Sequence, residues 1–356
     1  MHFQRSLKIL NVSRNIIFKD SFRCCNTLQE CVHSNSFIQQ EYDISQKLLK
    51  VAVIGMPNAG KSTFINYLMD RKVCPTSSKI HTTRKKTTAI FTEGNSQIIF
   101  LDTPGLVTDR MRRKYNLESS FVKDSEICLK QADTVGVIHD VSCKWKPEQL
   151  DIKIIDLLEK HKEKPSFLVL NKVDILKSKR KLLELTRLLT MNCLDGQPIM
   201  KKKLELNECD NNHGWPYFKE VFMISALTGS GLGEVKDYLI KTAKPGKWMF
   251  PGDVWSNQTP EIIIVDTVKA TLLDFLPQEI PYKMEPILEL YEISEDKTIS
   301  IVVLVKCISE RVAKLVAGGS DGRLRQITEG VQRDLQNIFQ TYVKITIVLE
   351  SPKQKK

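Results

Sequence analysis

Residues 50–69 read KVAVIGMPNAGKSTFINYLM, and this stretch decides the fold. Val51 to Ile54 is an unbroken apolar run, as a strand buried on both faces requires. The loop Gly55-Met56-Pro57-Asn58-Ala59-Gly60-Lys61-Ser62 then fits G-x-x-x-x-G-K-[ST], and from Thr63 the pattern is that of an amphipathic helix. Strand, glycine loop and helix in this order make a phosphate cradle. The glycines let backbone N–H groups wrap a phosphate and the helix N-terminus adds partial positive charge. Lys61 bridges phosphates, and the Ser62 hydroxyl is suited to ligate Mg²⁺.

Three further motifs follow, each at the end of an apolar run. QIIFLDTPGL supplies Asp102-Thr103-Pro104-Gly105-Leu106, where the acid can hold the Mg²⁺ shell and the Gly105 N–H can meet a γ-phosphate. SFLVLNKVD ends in Asn171-Lys172-Val173-Asp174; a carboxylate at Asp174 accepts from the N1–H and N2–H₂ edge of guanine, which adenine does not offer. VFMISAL places Ser225 and Ala226 where a backbone N–H reaches the guanine O6. Ligands of open α/β sheets bind at the carboxyl ends of strands, so the four motifs predict a doubly wound α/β P-loop GTPase domain with GTP and GDP as ligands.

With 356 residues the chain exceeds one ordinary domain, and about 150 residues per domain gives two. No apolar run is long enough for a transmembrane helix. Net charge is +11, and it is unevenly placed: residues 1–45 carry +1, residues 46–259 carry +11 and residues 260–356 carry −1. The basic excess favours a polyanionic partner such as nucleic acid. Nine cysteines form no C-x-x-C pair and no Cys/His cluster at zinc spacing, which argues against a zinc site and for free thiols in a reducing compartment. The first nineteen residues hold Arg5, Lys8, Arg14 and Lys19 with no acid, and Phe3, Leu7 and Leu10 at helical spacing. That is the composition of a mitochondrial presequence, and residues 1–45 are expected to be such a segment with a flexible continuation.

The segment SSKIHTTRKKTTAIFTEGNSQIIFLDTPGL, with Thr82-Thr83-Arg84, resembles the first switch of the Era family of GTPases. That resemblance implies Thr83, with Thr82 as the alternative, as a switch threonine on Mg²⁺, and catalytic parts for Lys61, Thr83 and Gly105. Leu106 stands where Ras-like enzymes carry a water-orienting glutamine and cannot hydrogen-bond a water, so another group must neutralise the developing charge. In GTPases similar to this one an asparagine of the phosphate loop coordinates K⁺ in place of an arginine finger. Asn58 holds that position, which implies slow, K⁺-stimulated hydrolysis. The polar stretch between Leu189 and Trp215, with Lys201-Lys202-Lys203, reads as a surface insertion without catalytic duty.

A Pro/Gly/Trp-containing connector over 246–260 separates the GTPase domain, 46–245, from a second domain, 261–356. There Thr259 caps a helix with Pro260 at its first position. PYKMEPILELYEI and KTISIVVLVKCI read as strands, helices follow at 309–317 and from 323, and YVKITIVLE is a last strand. This order resembles the α+β type II KH domain that follows the GTPase in the Era family, and the connector is also similar.

The resemblance to a mitochondrial member implies a matrix protein, monomeric, with a peripheral inner-membrane contact among its associations. Its implied task is to bind small-subunit rRNA near its 3′ end and assist assembly of the mitochondrial small ribosomal subunit. A KH domain clamps RNA backbone at a glycine turn; the candidates here are Gly318, Gly319, Ser320 and Gly322 with Arg311, Lys314, Arg323 and Arg325. The turn has two registers, Gly319-Ser320-Asp321-Gly322 or Gly318-Gly319-Ser320-Asp321. In either, Asp321 opposes a passing phosphate, so RNA affinity is expected to be shared with the basic 46–259 region. A tRNA-modification GTPase, a membrane-associated regulatory GTPase and an RNA-binding module without turnover are the competing readings.

Overall fold

The computed structural model describes residues 45–74, 87–103, 120–143, 147–199, 213–277, 280–318 and 322–351. The presequence-like segment, Thr82 to Arg84, Pro104 to Leu106, Lys201 to Lys203 and Gly319 to Asp321 all lie outside these residues.

The first half alternates strands and helices: β1 Lys47–Gly55, α1 Lys61–Leu68, β2 Thr87–Glu93, β3 Ser96–Asp102, α2 Ser120–Gln131, β4 Thr134–Asp140, α3 Ile152–Lys160 and β5 Ser166–Asn171. It continues through α4 Lys179–Leu189, a short hairpin β6 Cys193–Leu194 with β7 Gln197–Pro198, then β8 Phe218–Met223, α5 Leu232–Thr242 and β9 Lys244–Pro245. The sheet order is β2-β3-β1-β4-β5-β8, parallel except for the edge strand β2, with β9 pairing antiparallel to the start of β1.

Successive side chains of a strand point to opposite faces, and each face here has its own core. Val51, Val53, Phe167 and Val169 pack under α1 and α5, through Phe64, Ile65, Leu232 and Val235. Ala52, Ile54, Leu168 and Leu170 pack under α2, α3 and α4, through Leu129, Leu157 and Leu185. Helices on both faces explain why the central strands read as continuous apolar runs.

The second half runs α6 Pro260–Phe275, β10 Glu285–Ile293, β11 Ile299–Lys306, α7 Glu310–Ala317, α8 Arg323–Phe339 and β12 Val343–Glu350. Thr259 is the N-cap of α6 and Pro260 its first residue, as expected. β10 pairs antiparallel and β12 parallel to β11, the arrangement of a type II KH fold. One sheet face is buried against α6 and α8 through Ile301, Val303, Ile264, Val268, Val331 and Leu335. The expected strand from Pro281 starts four residues later, because Ile280–Lys283 form a 3-10 turn closed by the Met284 N–H on the Pro281 carbonyl, 3.3 Å.

The connector docks along β2 and β3. Gln97 accepts from the N–H groups of Met249 and Phe250 at 2.9 and 3.1 Å and donates to the Phe250 carbonyl at 2.9 Å. The Ile90 N–H donates to Trp255 O at 2.9 Å beside an antiparallel bridge between Ala89 and Ser256. Beyond it, Lys72 Nζ pairs with Asp334 Oδ2 at 2.6 Å, and the Lys72 N–H donates to Asn337 Oδ1 at 2.8 Å, joining the turn after α1 to α8. The ends of the 189–215 insertion are less loop-like than expected: β6 and β7 pair, and Trp215 is buried in the second core.

Candidate nucleotide site

The carboxyl ends of β1, β3, β5 and β8 bring the predicted motifs to one edge of the sheet. Gly55 leaves β1 so close to β4 that a Cβ there would stand 2.4 Å from the Ile138 carbonyl oxygen. Met56 and Pro57 are half-buried and Asn58 is exposed at φ 60, a left-handed conformation that asparagine tolerates. Gly60, at φ 96, precedes α1 with no side-chain cap, so the first N–H groups of the helix face the loop.

Lys61 is buried and its amine donates to the carbonyls of Gly55 and Met56 at 3.1 and 3.0 Å. Burial lowers its pKa to about 8, against the pull of Asp102 in the opposite direction. Ser62 Oγ donates to Asp102 Oδ2 at 2.8 Å. Asp102 is itself fully buried; burial raises its pKa, opposed by Lys61, the Ser62 hydroxyl, the Cys74 thiol and the Thr103 N–H. Its second oxygen, Oδ1, has no hydrogen-bond partner among the described residues. A buried orphan carboxylate oxygen next to a serine hydroxyl is an all-oxygen donor set suited to a hard cation. Thr103 Oγ1 donates to the Val53 carbonyl at 2.8 Å and so serves the strand.

Asn171 does more than its place in a guanine-reading motif suggests. Its Nδ2 donates to Ala59 O at 2.8 Å, and its Oδ1 accepts from the N–H groups of Lys172 and Ala226 at 2.8 and 2.9 Å. One side chain therefore ties the phosphate loop to both guanine-side motifs. Lys172, at φ 67, places its amine on Asp140 Oδ2 at 2.6 Å, a pairing across 32 residues that spacing did not signal. Val173 and Asp174 form a 3-10 turn with Asp174 exposed. Ser225 is buried, and its Oγ accepts from the Thr228 N–H at 3.2 Å. Asn66 was also missed: its amide both donates to the Cys74 carbonyl and accepts from the Cys74 N–H, each at 2.7 Å.

At the predicted RNA turn, Gly318 caps α7 at φ 73 and Gly322 precedes α8 at φ 60. Arg311 is exposed. Lys314 pairs with Glu310 and Arg325 with Glu329, both at 2.8 Å, and Arg323 Nη1 donates to the Leu315 carbonyl at 3.0 Å. Much of the positive charge at the turn is thus met locally.

A family model described as "50S ribosome-binding GTPase" matches residues 50–172. A Salmo salar protein named "GTPase Era, mitochondrial" is 35% identical over 347 residues, covering 85% of this chain and 76% of its own length. The chain belongs to the Era family of GTPases. An Aquifex aeolicus Era bound to GDP·AlF4⁻ shares 25% identity at a TM-score of 0.68, covering 87% of this chain and 95% of its own. A second Era structure, solved with MgGDPNP and nucleotides 1506–1542 of 16S ribosomal RNA, has a TM-score of 0.67 at 24% identity, with the same coverage. The Era fold accordingly extends through both halves of the chain.

Proposed function

We propose that this Era-family GTPase is a slow, K⁺-stimulated enzyme of the mitochondrial matrix, which binds small-subunit rRNA near its 3′ end during assembly of the small ribosomal subunit. The observation that carries the reading is the joining, in one chain, of a guanine-type site to a type II KH fold through a connector that docks on β2. The names of its mitochondrial relatives and the acid-free basic start support the location. Residues 46–245, 246–260 and 261–356 act as GTPase domain, connector and RNA module.

Lys61 bridges the phosphates, with the N–H groups of the Gly55 to Thr63 loop around them. Ser62 and Asp102, with Thr83 of the switch, would hold Mg²⁺, which would neutralise charge on the phosphates. The orphan Asp102 Oδ1 fits that duty. Asp174 selects guanine, and the Ser225-Ala226 turn, which Asn171 holds in place through the Ala226 N–H, lies on its O6 side. With Leu106 unable to orient water, Asn58 is the residue that would hold K⁺, which would supply positive charge for the transition state. The KH turn positions RNA while the basic first half shares the affinity.

The test uses the purified chain with Mg²⁺ and GTP in KCl and in NaCl, and with a 3′-terminal fragment of mitochondrial small-subunit rRNA. Faster turnover in KCl, reduced by Asn58→Ala, and saturable binding of that fragment are expected. Equal turnover in the two salts overturns the K⁺ assignment; failure to bind the fragment overturns the RNA assignment.

A further inference from the structure

The RNA turn holds little uncompensated charge, whereas the start of α4 in the GTPase domain holds a great deal. Lys177, Lys179, Arg180 and Lys181 crowd the start of α4, and Arg187 lies in its last turn; all five are exposed. None of their side chains makes an ion pair or hydrogen bond among the described residues. By contrast Lys72, Lys160, Lys172, Lys219, Lys236, Lys314 and Arg325 all do. The placement also opposes helix electrostatics. The first turn of α4 has no acid, and its N-cap Ser178 makes no side-chain cap, so four cations gather where the helix already ends in partial positive charge. Folding gains nothing from that arrangement. A polyanion relieves it.

Rotation of 100° per residue puts Arg180 and Arg187 on one outward stripe, about 10 Å apart along the axis. The buried stripe is Leu182, Leu185 and Leu189. Leu183 and Leu188 are exposed but on opposite flanks, and Glu184 sits between them. A lipid-binding helix needs a continuous free apolar face; here that face is used by the core, so nucleic-acid phosphate is the better-matched partner.

We infer that the start of α4, through Lys177, Lys179, Arg180 and Lys181 with Arg187, is a second, sequence-independent contact for the RNA backbone. This rests on the RNA-binding reading above and adds to it a surface in the GTPase domain, separate from the KH turn. The connector docks on β2, and β5, which leads into α4, is four strands away, about 19 Å at the usual strand spacing. One RNA touching both surfaces must extend beyond the roughly four nucleotides that a KH turn holds. Phosphate contacts of this kind fix orientation and do not read bases.

The experiment measures binding of the full-length chain to two RNAs over a salt series. One is a short single strand from the 3′ end of small-subunit rRNA, and the other is a longer fragment in which that end adjoins a hairpin. The variant carries K177Q, K179Q, R180Q and K181Q together; GTP turnover and melting temperature report that it remains folded. For the longer RNA the slope of log K against log salt should fall by about 3, at roughly 0.7–0.9 for each phosphate no longer neutralised. The short strand should bind both proteins alike. A K177R, K179R and K181R variant should retain the wild-type slope. An unchanged slope on the longer RNA overturns the inference while leaving the proposed function intact. Loss of binding to phosphatidylserine-containing vesicles with no change on RNA overturns it in favour of a membrane surface. A wild-type chain that binds neither RNA overturns the proposed function and this inference together.

Discussion

The side-chain amide of Asn171 donates to the carbonyl of Ala59 at 2.8 Å across 112 residues of sequence. Through this bond, and the two that its oxygen accepts, the end of β5 sets the height of the phosphate loop. Asn171→Ala would leave the Ala59 carbonyl and the Ala226 N–H without these partners in a buried region, at about 1–3 kcal/mol each. Urea unfolding should show a loss in that range or above. GTP affinity should fall by at least about tenfold, since 1.4 kcal/mol is a factor of ten.

Gly60 lies against the same amide. A Cβ there would stand 2.2 Å from Asn171 Nδ2, and the backbone is at φ 96. Gly60→Ala must push Asn171 off Ala59 as well as strain the loop, so it should weaken GTP binding more than Asn171→Ala does. Titration with a fluorescent GTP analogue compares the two.

Between the domains, Lys72 and Asp334 are each about three-quarters shielded, with side-chain exposures of 26% and 28%. A double-mutant cycle on Lys72→Ala and Asp334→Ala should return a coupling of about 1 kcal/mol. The single variant Lys72→Ala keeps the backbone bond to Asn337 and should leave GTP affinity unchanged.

His139 gives a pH signature. Burial lowers its pKa from 6.5, against the Pro147 carbonyl bonded to its Nε2 at 2.7 Å and the nearby Asp140. The native state therefore binds this proton less readily than the unfolded chain. Its contribution is complete above the unfolded value and is lost as pH falls below 6.5 towards the native one. Urea midpoints between pH 7.5 and about 5 should fall more steeply for the wild type than for His139→Gln.

The GTPase fold was legible because its signals are local. Gly55 to Ser62 carry their own strand-to-helix context, and period-2 and period-3.6 patterns place β11 and α8. The order of the second domain could be read for the same reason, while the start of β10 was misjudged because Pro281 continues an apolar run yet closes a turn. The hidden parts are long-range. Asn171 on Ala59, Lys172 on Asp140 and Gln97 on Phe250 join residues that no spacing rule relates. The pairing of Lys314 with Glu310 and Arg325 with Glu329 follows i,i+4 spacing, and net charge alone understated how far it quiets the RNA turn.

Crosslinking the protein to RNA in cells and sequencing the attached fragments tests the central claim most directly. The account predicts mitochondrial small-subunit rRNA, with crosslinks concentrated near its 3′ end. Recovery of tRNA, or of no RNA above background, would contradict it.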